Sequence, residues 1–254
     1  MHSVPPSGGD SAAADGATLL ERQRKAFLAE GAVTARTRLD RLTRALELLI
    51  AYQDRFCEAL VQDYGQRPPA VTLMMDVYPA VQALRHAQRN VHRWMRPRRM
   101  TTGLPLGVPG ARSELRHQPL GVVGIISPWN FPVALTFGPL ASALAAGNRC
   151  LIKPSEVTAA TTSLIAESVA KFFDASEVAV VTGDPQVAAS FSRLPFDHLV
   201  FTGSTEVGRK VMSAAAEHLV PVTLELGGKC PVILGRSADL GRAVDRIMLG
   251  KLAN

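Results

Sequence analysis

Glycines flank a short polar stretch, Phe201–Gly208, at the junction of a predicted strand and a predicted helix. Gly203 would let the backbone approach a pyrophosphate, and the N–H groups at the start of the following helix would attract its negative charge. The spacing departs from the glycine fingerprint of dinucleotide-binding folds, and Arg209 stands where a nucleoside-triphosphate loop requires lysine. By spacing alone, the stretch is either a phosphate seat or an ordinary tight turn.

This stretch is one of four segments that follow one another in the order found in a single family. The others are SPWNFP (Ser127–Pro132), KPSE (Lys153–Glu156) and LELGGK (Leu224–Lys229). Through these segments, the chain from about Pro119 onward resembles the aldehyde dehydrogenase superfamily. The runs from Leu135 to Glu156 and from Arg193 to Ser204 are most similar to its coniferyl aldehyde dehydrogenase branch.

The resemblance implies that an aldehyde is oxidised to its acid through a cysteine thioester, with a nicotinamide dinucleotide accepting hydride. Asn130 matches the family residue whose side-chain amide donates to the oxyanion, and Glu225 matches the general base that hydrolyses the thioester. Outside its motif, Asn130 would be read as a turn residue and Glu225 as a solvated acid at a strand end.

The resemblance also implies a set of cofactor contacts. Lys153 and Glu156 match residues that bind the adenosine ribose hydroxyls, and an acid there disfavours a 2′-phosphate. NAD is therefore expected, with NADP as the alternative. Without the motif, these two residues would be a strand-end charge and a first-turn acid. The other expected contacts, at the pyrophosphate, the rings or nearby, are Ile126, Ser127, Trp129, Gly203, Ser204 and Val207.

The nucleophilic cysteine of the family would fall just beyond Asn254. Cys57, Cys150 and Cys230 are each better explained as structural residues. The expectation is therefore an amino-terminal portion of the enzyme, a fragment that does not oxidise aldehydes alone. A non-catalytic dinucleotide-binding or interaction module is the alternative. These residues do not identify the aldehyde, and a homo-oligomeric parent enzyme is expected from the resemblance alone.

The spacing of apolar residues predicts the elements that must position these motifs. Spacings of three and four residues predict helices from about Thr18 to Arg96, and short apolar runs alternate with helical stretches after Pro119. The fold class is therefore α/β, a Rossmann-like, doubly wound, mostly parallel sheet preceded by an amino-terminal helical layer. The predicted strands are 121–127, 150–153, 178–183, 198–203, 222–228 and 231–235.

We predict four divisions of the chain. These are a disordered tail at 1–16, a helical layer at 17–96, a linker with a strand that could serve oligomerisation at 97–118, and an NAD-binding domain at 119–254. Within the third division, 111–117 is predicted to be a polar strand. Asp184 and Pro185 are expected to be the N-cap and first residue of a helix.

Composition narrows the class of protein further. Lys and Arg exceed Asp and Glu by 28 to 22, an excess too small to indicate a nucleic-acid partner. The three cysteines lack the spacing of a zinc site or a disulfide framework, so a reducing cytoplasm is expected and no metal. Residues 119–148 carry no charge and could span a bilayer, but four prolines and four glycines favour a buried strand, a turn and a helix.

Overall fold

Helices form the first part of the computed structural model, which describes residues 8–103 and 110–252, with side chains from Gly16 onward. They are α1 (Gly8–Glu30), α2 (Ala35–Tyr64), α3 (Pro69–Thr72) and α4 (Tyr78–Trp94), and a π-helical turn, Leu73–Val77, joins the last two. Thr34 caps α2 by accepting a hydrogen bond from the Thr37 N–H, and Gly65 ends this helix with a positive φ of 77°.

An exposed two-stranded ribbon follows. Strands β1 (Arg98–Met100) and β2 (Ser113–Leu115) pair antiparallel, with Arg98 opposite Leu115. The predicted polar strand is therefore present, shorter than expected, and the predicted linker contributes its partner strand. Residues 104–109 of that linker lie outside the described residues.

A parallel sheet of five strands carries the predicted motifs. The elements are β3 (Val122–Ile126), α5 (Ala134–Ala146), β4 (Arg149–Lys153), α6 (Ala159–Phe172), β5 (Val178–Val180), α7 (Pro185–Ser192), β6 (His198–Gly203), α8 (Thr205–Ala216), β7 (Val222–Leu226) and α9 (Leu240–Leu252). The strand order is β5-β4-β3-β6-β7, and every pairing is parallel. This order, with helices on both sides, confirms the Rossmann-like, doubly wound sheet.

Each face of the sheet packs on its own set of helices. Val123 and Ile125 of β3 pack with α2, α4, α5 and α6, on what we call the first face. Val122 and Ile126, the alternate residues of the same strand, pack with α1, α7 and α8 on the second face. Because successive side chains of a strand point to opposite sides, a strand buried on both faces must be apolar throughout, as VVGII is.

The amino terminus differs from its prediction in two ways. The segment 8–16 begins α1 instead of forming a disordered tail, whereas residues 1–7 lie outside the described residues. Three consecutive alanines favour the helix, and Gly16 lies against Leu194, where a Cβ atom would be 3.5 Å from its side chain. In addition, α1 covers the second face, so the amino-terminal helices do not form one layer.

The prediction of a sixth strand at 231–235 is wrong. Within the described residues, this apolar run has no strand pairing, and Ile233 is 91% exposed. A strand requires a neighbour for its hydrogen bonds, and none of the described strands pairs with this run. The uncharged stretch divides into β3 and α5, and no helix among the described residues has the length and apolarity needed to cross a membrane.

Candidate functional site

The strand order places a crevice between β3 and β6. From β3 the chain passes to β4 and β5 on one side, and it then returns to β6 and β7 on the other. Loops leaving neighbouring strands in opposite directions open a gap at the carboxyl ends of those strands, and ligands of open α/β sheets bind there. All four sequence motifs lie at this edge of the sheet.

The turn from β6 into α8 forms one wall of the crevice. Gly203 ends the strand and Ser204 is the N-cap of the helix, its hydroxyl accepting a hydrogen bond from the Val207 N–H at 3.3 Å. Val207 is 45% exposed in the first turn. Gly203 has a packing reason of its own, because a Cβ there would be 2.5 Å from the Phe201 ring. The start of α8 therefore faces the crevice with N–H groups suited to an anion.

Lys153 and Glu156 lie at the end of β4. Lys153 is almost wholly buried, and its ammonium donates to the Pro154 carbonyl at 2.8 Å and to the Glu156 carboxylate at 3.4 Å. Burial lowers the pKa of Lys153, and the charge of Glu156 partly offsets that effect. Glu156 is exposed. A fixed ammonium beside an accessible carboxylate can bind the two hydroxyls of a ribose as donor and acceptor.

The loop from β3 into α5 carries the SPWNFP motif. Ile126 is buried and pairs with Lys153 of β4 and Phe201 of β6, so it lies at the floor of the crevice. Trp129 is 50% exposed. Ser127 is buried, and its hydroxyl is 2.6 Å from that of Thr136 in α5, so its side chain is engaged with the helix.

Glu225 lies on β7, opposite Thr202 of β6, and is exposed. Paired residues of parallel strands point to the same side, and the preceding pair, Phe201 and Leu224, packs on the second face. Glu225 therefore points to the first face. A Cβ at either of the two following glycines would meet no atom within 4 Å, so the strand exit next to this carboxylate is open.

The candidate residues divide between the two sides of the crevice. Ile126, Lys153 and the start of α8 belong to the second face. Glu225 points to the first face, and the Asn130 backbone is held there by residues at the end of α2 and just after it. The expected cofactor contacts at the sheet and the two expected catalytic residues thus lie on opposite sides of one sheet edge.

Sequence reasoning missed the residues that hold the Asn130 loop. The Asn130 carbonyl accepts from the Tyr64 hydroxyl at 3.1 Å and from the Arg67 guanidinium at 3.2 Å, and Tyr64 also donates to the Trp129 carbonyl. Arg67 pairs with Asp76 at 3.0 Å, and both side chains are buried. These residues form no contiguous motif. The available signal was the pair Arg67 and Asp76, the charged residues on either side of a double proline in an otherwise uncharged helical region.

Two of the three cysteines are poor nucleophiles as placed. Burial raises the pKa of Cys150 to about 12 and also raises the pKa of Cys57. Only the thiolate attacks a carbonyl, so neither thiol is active near neutral pH. Cys230 is exposed after β7.

Comparison with known proteins agrees with this geometry. A model of the aldehyde dehydrogenase family matches residues 8–254. A probable coniferyl aldehyde dehydrogenase of Caulobacter vibrioides is 51% identical over 237 residues, which are 93% of this chain and 49% of that protein.

Two solved structures extend the comparison. A substrate-bound Staphylococcus aureus AldH superposes with a TM-score of 0.87 at 32% identity, covering 92% of this chain and 50% of that one. A Mycobacterium tuberculosis aldehyde dehydrogenase complexed with NAD+ gives 0.84 at 29% identity, covering 98% and 50%. The chain spans about half the length of these relatives. By its family match and by the fold that it shares with these enzymes, the chain belongs to the aldehyde dehydrogenase family.

Proposed function

We propose that this chain supplies the dinucleotide-binding half of an NAD-dependent aldehyde dehydrogenase, which oxidises an aldehyde to the carboxylic acid. The observation that carries the proposal is the division of the crevice, with the residues expected to contact ribose and phosphate on one side and Glu225 with the Asn130 loop on the other. A cofactor lying over the sheet edge would thus separate its anchoring groups from the groups that act on the substrate.

The residues present fit such a cofactor. The start of α8 offers N–H donors to a pyrophosphate beside Gly203, and Lys153 with Glu156 offers a donor and an acceptor to ribose hydroxyls. The negative charge of Glu206 in the first turn of α8 is offset by Lys210, 2.9 Å away. When bound, the nicotinamide accepts a hydride from the substrate carbon.

The catalytic roles follow from side-chain chemistry. The Asn130 amide can donate to an oxyanion, and its loop is held by hydrogen bonds from Tyr64 and the buried Arg67, as preorganised stabilisation requires. The exposed Glu225 carboxylate, with room created by the two glycines after it, can take a proton from the water that hydrolyses a thioester. We assign the nucleophile to none of Cys57, Cys150 and Cys230.

Calorimetric titration of the purified chain with NAD and with NADP tests the cofactor assignment. We expect the Kd of NADP to be at least about tenfold higher than that of NAD, because Glu156 repels a 2′-phosphate. Glu156→Gln should lower this ratio of the two Kd values. Glu167→Gln, which removes an exposed charge from α6 on its Arg55-paired face, is the control and should leave the ratio unchanged. A monodisperse chain that gives no heat with either nucleotide would refute the assignment.

The substrate, assembly and location belong to the same proposal. An aromatic, coniferyl-type aldehyde is supported by the similarity to the Caulobacter enzyme, and the exposed β1–β2 ribbon is suited to contacts between subunits of a homo-oligomer. Unpaired thiols at Cys57, Cys150 and Cys230 suit the reducing cytoplasm. Because the chain spans half of its relatives, turnover of coniferyl aldehyde against aliphatic aldehydes is to be measured in an enzyme that also holds the nucleophile.

A further inference from the structure

The two helices that follow the cofactor loops begin without caps of their own. The N-cap of α5 is Val133, and the N-cap of α6 is Thr158; neither makes a side-chain capping hydrogen bond. The first N–H groups of a helix have no partner within it, so they require an acceptor from elsewhere.

Carboxylates from the amino-terminal helices supply the acceptors. Asp76, fully buried, accepts from the N–H groups of Val133 at 3.1 Å and Ala134 at 2.9 Å. Asp63, in the last turn of α2, accepts from Ala160 at 2.9 Å and Thr161 at 2.8 Å. Negative charge at these positions also interacts favourably with the helix dipoles.

The first of these contacts is part of a larger clamp. In addition to the two backbone N–H groups, Asp76 accepts a hydrogen bond from Arg67, whose other terminal nitrogen donates to the Asn130 carbonyl at 3.2 Å. Tyr64 donates to the same carbonyl and to that of Trp129. Burial raises the pKa of the Tyr64 hydroxyl, which keeps it a donor. Asp76 itself belongs to the π-helical turn, where the Tyr78 N–H bonds to the Leu73 carbonyl.

We propose that these residues are positioning residues that form two separate clamps. Asp63 fixes the loop carrying Lys153 and Glu156, and therefore the adenosine half of the cofactor. Tyr64, Arg67 and Asp76 fix the loop carrying Trp129 and Asn130, and therefore the end of the crevice where the chemistry occurs. This inference rests on the proposed function for what the loops bind, but the clamps themselves rest on the contacts above.

Binding of AMP and of NAD separates the two clamps, because AMP carries only the adenosine half. Asp63→Asn should raise the Kd of both nucleotides by the same factor, on the order of three- to tenfold, as a weakened cap and lost helix charge predict. Tyr64→Phe removes one hydroxyl without changing the shape of the side chain. It should leave the Kd of AMP within about twofold and raise that of NAD.

The fluorescence of Trp129 gives a second readout that needs no ligand. The chain has two tryptophans, so a Trp94→Phe background leaves Trp129 as the only indole. In that background, Tyr64→Phe and Arg67→Lys should shift the emission of the apoprotein, whereas Asp63→Asn should not. Amide hydrogen exchange should accelerate at Ala160 and Thr161 in Asp63→Asn, and at Val133 and Ala134 in Arg67→Lys.

Arg41→Lys is the matched control. Arg41 is a buried arginine of the same helix α2, paired with Glu30 and Glu177 instead of with a crevice loop. It should lower thermal stability while leaving both Kd values within about twofold and the Trp129 emission unchanged. If this control raises the Kd values or shifts the emission as much as the clamp variants do at the same loss of stability, the clamps are refuted. If the wild-type chain binds neither nucleotide, the proposed function fails, whereas unchanged emission and exchange refute the clamps themselves.

Discussion

The crevice loops and the segment that follows β7 both lie beyond the carboxyl ends of strands of the parallel sheet, yet they are held very differently. The loop after β3 is held by the buried pair Arg67 and Asp76, and the segment after β4 is held by Asp63. In contrast, within the described residues, no side chain of α9 is buried, and Ile233 and Leu249 are 91% and 75% exposed. The difference shows that contacts with residues distant in sequence hold the crevice loops, whereas the segment after β7 has no buried side chain among the described residues of its helix.

The largest difference in unfolding free energy is expected between a substitution in the core that supports the crevice loops and one in the exposed helix α9. Phe56 of α2 is fully buried and contacts Phe137 of α5 edge-to-face, with ring centroids 6.3 Å apart. Phe56→Ala should lower the free energy of unfolding by about 3–5 kcal/mol, since it leaves a cavity. Leu249→Ala in α9 should change it by about 0.5 kcal/mol or less. Urea denaturation measures both, and similar losses would mean that α9 is packed in solution.

The pH dependence of stability tests the buried pair Arg67 and Asp76, which holds the loop after β3. Burial raises the pKa of Asp76 to about 6, against the opposing effects of the Ala134 N–H and of Arg67. An unfolded aspartate titrates near 4, so the folded state holds its proton more tightly and ionisation opposes folding. The stability linked to this group is therefore complete below about pH 4 and is lost as the pH rises to about 6, by about 3 kcal/mol at most.

Asp76→Asn removes this titration and provides the comparison. The difference in unfolding free energy between the wild type and this variant should fall as the pH rises from about 4 to about 6, and it should be constant above about pH 7. Denaturation curves collected across this range measure the difference. A difference that grows with pH would show that the pKa is lowered, with the Arg67 charge outweighing burial.

Two aspartate N-caps, one on a packed helix and one on an exposed helix, allow a closer comparison. Asp184 caps α7 by accepting from the N–H groups of Gln186 and Val187, both at 3.0 Å, and Asp239, which precedes α9, accepts from the Arg242 N–H of that helix at 3.1 Å. Asp184→Ala should lower global stability by about 1 kcal/mol, because α7 packs on the sheet. Asp239→Ala should accelerate amide exchange in α9 alone and leave global stability unchanged. Equal global losses would contradict the distinction between the regions.

Much of the fold could be predicted from the sequence because its signals are local. Apolar runs gave five of the strands in the parallel sheet, and the Asp184–Pro185 pair gave the start of α7. The run 231–235 has the same composition and is not a strand, since no neighbouring strand pairs with it. Which face of the sheet α1 covers could likewise not be predicted, because helix periodicity shows that one side of a helix is apolar but not which element packs against it.

The candidate site was predictable where a residue belongs to a contiguous motif. The four motifs do meet at one edge of the sheet, as parallel strands require. Asp63 and Asp76 could not be predicted, because they cap helices that lie about 60 to 100 residues further along the chain. The engagement of Ser127 with Thr136 was also not expected, since it depends on how α5 packs.

The smallest effect on folding is expected for a charge placed on the exposed surface after β7. Leu249→Glu should change the free energy of unfolding by about 0.5 kcal/mol or less, because its side chain is already in water. Exposed apolar surface of this kind favours association, so the same change should reduce self-association in sedimentation velocity. Leu28→Glu, at a 73% exposed position of α1, is the control and should leave association unchanged. If both variants reduce association equally, the surface after β7 has no special role and the comparison between the two regions applies to folding alone.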